Sequence, residues 1–500
     1  MRKQLPKNWA EVQLEEILEK LENGSRPKGG VQGILEGIPS LGGEHLDSYG
    51  GFKFGKLKYV PEDFAKKMNR GLIKENDILI VKDGATTGKT SFVDNKFPYE
   101  LAFVNEHLFI SRTFLNINSK AIFYFLNSKL GQERILDNFT GSAQGGINQK
   151  FVSNTLIPLP PLPEQHRIVA KLDKLFTQLE TIKTSMANIP LLLKDFRQQV
   201  LTQAVTGKLT EQWRKGKEME SSEELVHNII EKRIKDFDLK CKSAKEKGER
   251  KPTKVLLTKL PEIEPIDIEL PENWFQTNVH FLSFVTKLAG FEYSLHFDLK
   301  DNGEVPVVRA QNVQMGRFED KNRLFMSEET SDFLVRSQLH GREILMVFIG
   351  AGTGNVCLAP KNERWHLAPN VAKIDVDGIS TEYLYLYLQS PLGIENVLSR
   401  VKATAQPSLS METIREIIAL VPPLQEQQEI VRRVESLFAK ADAIEKQYKT
   451  LKASIDNLPQ AFLHKAFKGE LSEQLDSDGD ARELLEEIKK LKSEIKKKSK

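Results

Sequence analysis

Several residues of this chain stand in spacings that chemistry uses. Gly84-Ala85-Thr86-Thr87-Gly88-Lys89-Thr90 has the glycines, the lysine and the hydroxyl of a phosphate-cradling loop. Such a loop needs four residues between its glycines so that successive amides point at the phosphates. Here there are three, so nucleotide binding is not expected. His107 follows Glu106, and His45 follows Glu44, each an imidazole beside a carboxylate that a general base or a metal site would use. Cys241 and Cys357 lie far apart with no CxxC pair, which argues against a zinc site or a disulfide framework and for a reducing cytoplasm. For reading nucleic acid, arginine matches guanine, and asparagine or glutamine matches adenine. The loop residues of those types and their basic neighbours are Arg26, Lys28, Lys82, Lys89, Gln144 and Asn148, and further along Arg309, Gln311, Asn312, Arg317, Gln406 and Ser408.

The elements that hold these residues are written twice. Leu5-Pro6-Lys7-Asn8-Trp9 returns as Leu270-Pro271-Glu272-Asn273-Trp274, an offset of 265, and the glycine turn at Gly84 returns at Gly350, an offset of 266. Pro160-Pro161-Leu162-Pro163-Glu164-Gln165 returns as Pro422-Pro423-Leu424-Gln425-Glu426-Gln427, and Gly207-Lys208-Leu209-Thr210-Glu211-Gln212 as Gly469-Glu470-Leu471-Ser472-Glu473-Gln474, both offset by 262. Ordered matches with a slowly drifting offset mean duplication of a whole module.

Duplication also weighs the chemistry. Asn355 stands where Lys89 does, Asn312 lies near the place of His45, and Ala372 is read as the counterpart of His107, so neither histidine is repeated. Phe348-Ile349-Gly350-Ala351-Gly352 has the glycine turn of an S-adenosylmethionine site, but the first copy reads Lys82-Asp83-Gly84-Ala85-Thr86. The Asn/Asp-Pro-Pro-aromatic tetrapeptide of amino-methylating enzymes is missing; Leu162 and Leu424 follow the double prolines. A strand ending in a tight glycine turn explains both copies. The expectation is a binding protein with no catalytic centre, no metal and no cofactor of its own.

Within each copy the texture changes once. The first part mixes glycine turns with short apolar runs such as Asp77-Ile78-Leu79-Ile80-Val81, which read as strands, and with short helices. After the proline-rich segment it becomes helical. Apolar residues at Ile168, Leu172, Leu175, Leu179, Ile182, Met186, Ile189, Leu193, Phe196 and Val200 alternate steps of four and three, the period of a coiled-coil seam. The second copy repeats it with Ile430, Val434, Leu437, Ala441, Ile444, Tyr448, Leu451, Ile455, Leu458 and Phe462. The seam predicts pairing of the two helices with each other, and two rotationally related copies that each lend one helix to a shared axis favour the antiparallel sense; packing of each helix on its own globular half, or pairing between chains, are the alternatives. Pro190 and Pro459 should break or kink the helices. Charged stretches follow each copy, Glu231 to Lys254 and the tail ending in Lys496-Lys497-Lys498-Ser499-Lys500; they read as solvated helices or as basic flanks to phosphates.

Composition sets the outer limits. With 500 residues, 40% hydrophobic, 28% charged and a net charge of +3, the chain reads as several ordinary globular domains whose basic residues act in patches. The N-terminus lacks a signal-like apolar run, and no stretch approaches the ~20 apolar residues of a membrane span, so a cytoplasmic protein is expected.

Leu-Pro-x-Asn-Trp opening each half, the glycine turn, and Pro-Pro-Leu-x-Glu-Gln leading into a heptad helix that ends in Gly-x-Leu together resemble the specificity subunit of Type I restriction-modification systems. The likeness covers nearly the whole chain. It implies an α/β fold of two tandem, pseudo-symmetric target-recognition domains separated by long helices that form an antiparallel coiled coil. The segments would be recognition domain 1 (1–157), spacer helix 1 (158–215), a charged helix and linker (216–262), recognition domain 2 (263–420), spacer helix 2 (421–475) and a charged C-terminal helix (476–500). It also implies double-stranded DNA with a bipartite target as ligand. The implied partners are two methyltransferase subunits, which hold S-adenosylmethionine and methylate adenine, and motor-nuclease restriction subunits. Helices of roughly 40 residues span about 60 Å, enough to set two readers over separate major grooves. The rival readings are an assembly scaffold that reads no sequence and a stand-alone DNA-modifying enzyme.

Overall fold

A computed structural model of the protein describes residues 5–141, 145–248, 263, 266, 268–288, 298–401 and 407–498. The chain divides into two compact units, Met1–Ala187 with Lys449–Lys500, and Asn188–Tyr448. This division cuts across the order of the repeats. Each unit takes the recognition domain of one copy and the helical ending of the other.

In the first unit, Leu18–Asn23, Leu108–Thr113, Ile78–Val81 and Thr90–Phe92 lie side by side in an antiparallel sheet. Ile78–Val81 is buried at every position, as a short unbroken apolar run between turn residues requires. Ile38–Leu41 pairs antiparallel with Lys58–Val60 and parallel with Phe103–Val104, and Ala10–Gln13 pairs with Leu156–Leu159. Two helices cover the sheet. Ser119–Leu126 starts at Asn118, whose side chain accepts the amides of Lys120 and Ala121. Lys129–Leu136 starts at Ser128, which accepts from Gly131 N. A Cβ at Gly131 would stand 2.0 Å from Phe125 O, so only glycine lets these helices approach.

The second unit repeats the plan. Ser283–Lys287, Val371–Val376, Ile344–Val347 and Val356–Leu358 form the antiparallel sheet. Val305–Val308 pairs antiparallel with Phe325–Met326 and parallel with Trp365–Leu367, and Phe275–Asn278 pairs with Ile418–Val421. Thr381–Gln389 and Pro391–Leu398 are capped by Ser380 and Ser390, and Gly393 meets Tyr387 O as Gly131 meets Phe125 O.

The spacer segments form helices at Leu162–Met186, Ile189–Val205 and Leu424–Ala466. Pro190 stands in the first turn of the second of these, where its missing amide costs nothing, and so marks a break. Pro459 lies inside the unbroken Leu424–Ala466 helix, so of the expected break or kink the break does not occur there. Pairing is antiparallel within each unit. In the first, the Phe176 and Phe462 rings lie 6.3 Å apart and tilted, and Lys183 pairs with Asp456 at 3.9 Å. In the second, Arg197 pairs with Asp442 at 2.6 Å and Glu445 at 2.9 Å, while Arg433 donates to Leu209 O at 2.8 Å.

The seam itself is buried only in part. Ile168 and Leu172 are closed within the core of the first recognition domain, together with Leu463, Ala466 and Phe467; Leu179 is buried as well. Ile430 and Val434 are closed within the core of the second, together with Val200, Leu201, Ala204 and Val205. Leu175 and Leu437 are half-buried. Ile182, Ile444 and Leu451 are 45%, 49% and 51% exposed, which corrects the expectation of one continuous buried stripe. A straight helix drifts ~20° per heptad from a 3.5-residue repeat, and the break before Ile189 interrupts the first stripe. The outer parts of the stripe therefore pack on domain and helix at once, combining two of the sequence alternatives. Ile430→Ala should cost about 2–5 kcal/mol and Ile444→Ala under about 1 kcal/mol, measured by denaturant unfolding. Equal costs would contradict this division of the seam.

The charged stretches are packing helices on one face. Ser222–Glu246 buries Val226 and Ile229 in the second unit, and Ala481–Lys498 buries Ala481, Leu484 and Ile488 in the first. Arg233 donates to the carbonyls of His280, Phe281 and Ser283, closing the end of the Val279–Leu282 helix. Lys492 donates to Glu15 O at 2.6 Å in the matching Leu14–Ile17 helix. Burial lowers the Arg233 pKa from its ordinary value, yet a guanidinium stays charged at any physiological pH.

Candidate nucleic-acid interface

The repeated motifs meet at one place in each unit and hold the recognition domain on its helices. In the first unit Glu164 is fully buried; it accepts the Trp9 indole N–H at 2.8 Å, the Ser472 hydroxyl at 2.8 Å and the Gln474 amide at 2.9 Å. In the second, Glu426 accepts the Trp274 indole N–H at 2.9 Å, the Thr210 hydroxyl at 2.6 Å and the Arg214 guanidinium. A buried carboxylate is tolerable only when its lone pairs are filled in this way. The glutamine beside each glutamate fastens the domain's own helix. Gln165 accepts from Asn118 N at 2.9 Å and donates to Pro160 O at 2.8 Å. Gln427 accepts from Ser380 N at 2.8 Å and donates to Pro422 O at 2.7 Å. Gly207 and Gly469 have φ of +75° and +71°, and a Cβ on either would stand 2.4 Å from the ring of Pro271 or Pro6. Leu-Pro-x-Asn-Trp, Pro-Pro-Leu-x-Glu-Gln and Gly-x-Leu are thus three parts of one joint, with the last part lent by the other copy.

Held on this joint, each domain presents the same pair of turns. Gly88 N donates to Val81 O at 2.8 Å and Val81 N to Lys89 O at 2.9 Å; Gly354 N and Val347 N do the same toward Val347 O and Asn355 O. Gly84 and Gly350 take φ of 91° and 108°, the left-handed region that suits glycine. The amides of the first turn close a hairpin, and so do those of the second, which accounts for both glycine motifs without a phosphate. Beside each turn runs a second one: Lys82 N donates to His107 O at 2.8 Å, and Phe348 N to Asn370 O at 3.0 Å. His107 therefore corresponds to Asn370, not to Ala372 as the sequence suggested. A third turn carries His45, buried, whose Nδ1 accepts from Gly42 N at 2.8 Å; Asn312 Oδ1 does the same for Arg309 N at 3.0 Å.

The candidate DNA contacts divide between exposed and anchored residues. In the first unit a chain of polar contacts runs from Arg26 to Glu106 (2.6 Å), Glu106 to His107 (3.3 Å), His107 to Asp83 (2.5 Å) and Asp83 to Lys82 (3.7 Å). Lys28 and Asn148 are exposed, the latter capping Lys150 N. Lys89 is tied down by a 3.1 Å bond to Leu46 O. In the second unit Gln311 and Arg317 are exposed, Arg317 pairing with Glu319 at 2.5 Å. Arg309 is half-buried and donates to Asn322 O at 2.6 Å. Asn312 is 3% exposed and spends its amide on Glu319 O and Lys321 O, so it builds the turn and does not face a ligand. Ser408 is half-buried, bridged to Ile349. Gln144 and Gln406 lie outside the described residues. Among the described residues no group of three or more His, Cys, Asp or Glu is arranged to hold a metal ion, and no helix is long and apolar enough to cross a membrane.

The chain matches the Type I restriction modification DNA specificity domain over residues 6–191 and 283–453. It belongs to this family. As a specificity subunit it is the recognition component, not the catalytic one, of a restriction-modification system. It is 30% identical to the EcoBI specificity subunit of Escherichia coli over 69% of this chain and 66% of that protein. To the EcoKI specificity subunit of Escherichia coli K12 it is 29% identical over 88% of this chain and 86% of that protein. A chain from a structure of the type I R-M system superimposes with a TM-score of 0.60 at 16% identity, over 94% of this chain and all of that one. The HsdS subunit from Thermoanaerobacter tengcongensis gives 0.56 at 16%, over 94% and 99%. Those two likenesses speak for the α/β fold alone.

The sequence motifs of highest repetition build the joint. Sequence reasoning found the motifs without their meaning. The glutamates and glutamines of Pro-Pro-Leu-x-Glu-Gln were visible twice, and a buried charge repeated in both copies was a signal for a fixed partner. Arg233 and Lys492 stand 259 residues apart, the same offset as Leu225 and Leu484, and that shared offset was the signal for their shared task.

Proposed function

We propose that this specificity subunit reads a bipartite double-stranded DNA target, one part with each recognition domain, and brings methyltransferase and restriction subunits to it. One observation carries the reading. The two domains share the order of their main antiparallel sheet, the joint and the Gly-Ala-x-Thr-Gly turn, yet the side chains flanking that turn differ: Lys82, Asp83, Lys89, Glu106 and His107 in the first stand where Phe348, Ile349, Asn355, Pro369 and Asn370 stand in the second. A scaffold that read no sequence would have no use for two different surfaces on one frame. Base edges in the major groove are distinguished by such side chains, and phosphates by the basic ones. Arg26, Lys28, Lys82, Lys89 and Asn148 would serve one half-site; Gln311, Arg317 and Arg309, the last held toward its turn by Asn322, would serve the other.

Apolar side chains left open on the helices support docking of partner subunits there. They are Ile182 and Leu451 in one unit, and Leu191, Leu192 and Ile444 in the other. Clusters of this kind mark protein interfaces when they are contiguous.

Arg309→Ala tests the half-site assignment. Binding should weaken or specificity relax by about tenfold, on the scale of one lost bidentate contact, in one half of the target only, as seen by footprinting. A footprint changed equally in both halves would contradict the assignment.

A further inference from the structure

The paired turns can be compared position by position, because identical hydrogen bonds fix their register. Lys82 N to His107 O matches Phe348 N to Asn370 O, and Ile147 N to Lys82 O (2.8 Å) matches Leu409 N to Phe348 O (2.8 Å). The bridge from Asp83 to Gly146 matches that from Ile349 to Ser408. On this common frame the chemistry is exchanged. Lys82, Asp83, Glu106 and His107 in the first domain stand where Phe348, Ile349, Pro369 and Asn370 stand in the second. Phe348 is 4% exposed, with Lys287 Nζ 5.1 Å above its ring, whereas Lys82 reaches out to Asp83.

We infer that Asp83, Glu106 and His107 are specificity-determining residues of the first domain, and that Ile349, Pro369 and Asn370 are their counterparts in the second. This rests on the base-reading function just proposed. An ionised carboxylate only accepts hydrogen bonds, so Asp83 favours a base edge that donates, as cytosine does through its N4 amino group, while the buried oxygens of Glu106 face Arg26 and His107 and position them. With Nδ1 2.5 Å from Asp83 and Nε2 3.3 Å from Glu106, His107 holds the Asp83 carboxylate in place, and Arg26 and Lys82 at the ends of the chain offset the acids against phosphate. In the second domain Asn370 suits the N6 and N7 of adenine, and Ile349 with Pro369 suits the methyl of thymine. A C·G pair is therefore expected at the position read by the first turn pair, and an A·T pair at the position read by the second.

The test is a map of methylated adenines in cells carrying the full chain with its own methyltransferase subunits. Wild type is compared with Asp83→Asn, His107→Asn and Asn370→His. Asp83→Asn and His107→Asn should lower discrimination about tenfold at one position of one half-site, and Asn370→His at one position of the other. If Asp83→Asn loses methylation through misfolding, Glu106→Gln, which keeps the size and an acceptor for Arg26, gives the same reading. A target unchanged in all variants, or altered in both halves by one of them, overturns the inference while leaving base reading intact. A wild-type map with no two-part motif overturns base reading itself.

Discussion

A chain ended at Lys468 unfolds its N-terminal recognition domain and keeps its second one. The missing residues include Ala481, Leu484 and Ile488, which close the core around Trp9 and Leu14. Burial of a Leu or Ile side chain contributes about 1.5–3 kcal/mol. The cut also removes Ser472 and Gln474 from Glu164, and Asp478 from Arg167. The hydrogen bond from Arg167 holds the Asp478 carboxyl below the usual carboxylate range, the mark of a contact that favours the folded form. Leaving Glu164 buried with one donor costs roughly another 1–3 kcal/mol. The sum is on the order of 5–10 kcal/mol, comparable with the whole stability of a domain. Hydrogen exchange should therefore show protection lost across Ala10–Gln13 and Ile78–Val81 and kept across Phe275–Asn278 and Ile344–Val347. Loss confined to the second set would mean that the tail does not complete the first domain.

The second large effect is at Glu426. Replacement by alanine leaves the Trp274 indole, the Thr210 hydroxyl and the Arg214 guanidinium without their shared acceptor in a buried place. Breaking a buried ion pair by removing one partner costs about 3–5 kcal/mol, because the remaining charge has no compensation. Glu164→Ala should cost less, since its three donors are neutral side chains. Glu426→Gln should fall between the two: its single amide oxygen keeps an acceptor for Trp274 or for Thr210, not both, and the charge facing Arg214 is lost. Chemical unfolding followed by hydrogen exchange in the unit that holds each variant gives the ranking; equal losses for Glu164→Ala and Glu426→Ala would contradict it.

Much of this architecture was legible in the chain. Duplication is visible without any structure, and unbroken apolar runs such as Ile78–Val81 announce buried strands. The heptad stripe announced two helices that pair, and the rotational relation of the two copies gave the antiparallel sense seen in each unit. What periodicity cannot show is which surface covers a stripe. Ile430 and Ile444 lie two heptads apart on one stripe, yet the first is closed inside a domain and the second lies open. Nor can linear order reveal that Gly469 packs on Pro6 while Gly207 packs on Pro271, because that exchange is a property of the closed fold. Reading-surface candidates were chosen by residue type alone. Type cannot tell Arg317, exposed, from Asn312, whose amide is consumed by its own turn. His107 was set against Ala372 because sequence offsets drift; only the hydrogen bonds from Lys82 and Phe348 correct the register to Asn370.

Reading by two unlike surfaces on one frame is most directly tested by mapping adenine methylation across the host genome before and after deletion of this chain's gene. The account predicts a single motif made of two unequal specified parts with an unspecified gap between them, and its complete disappearance in the deletion strain. A motif that persists without this chain, or one with a single uninterrupted part, would contradict it.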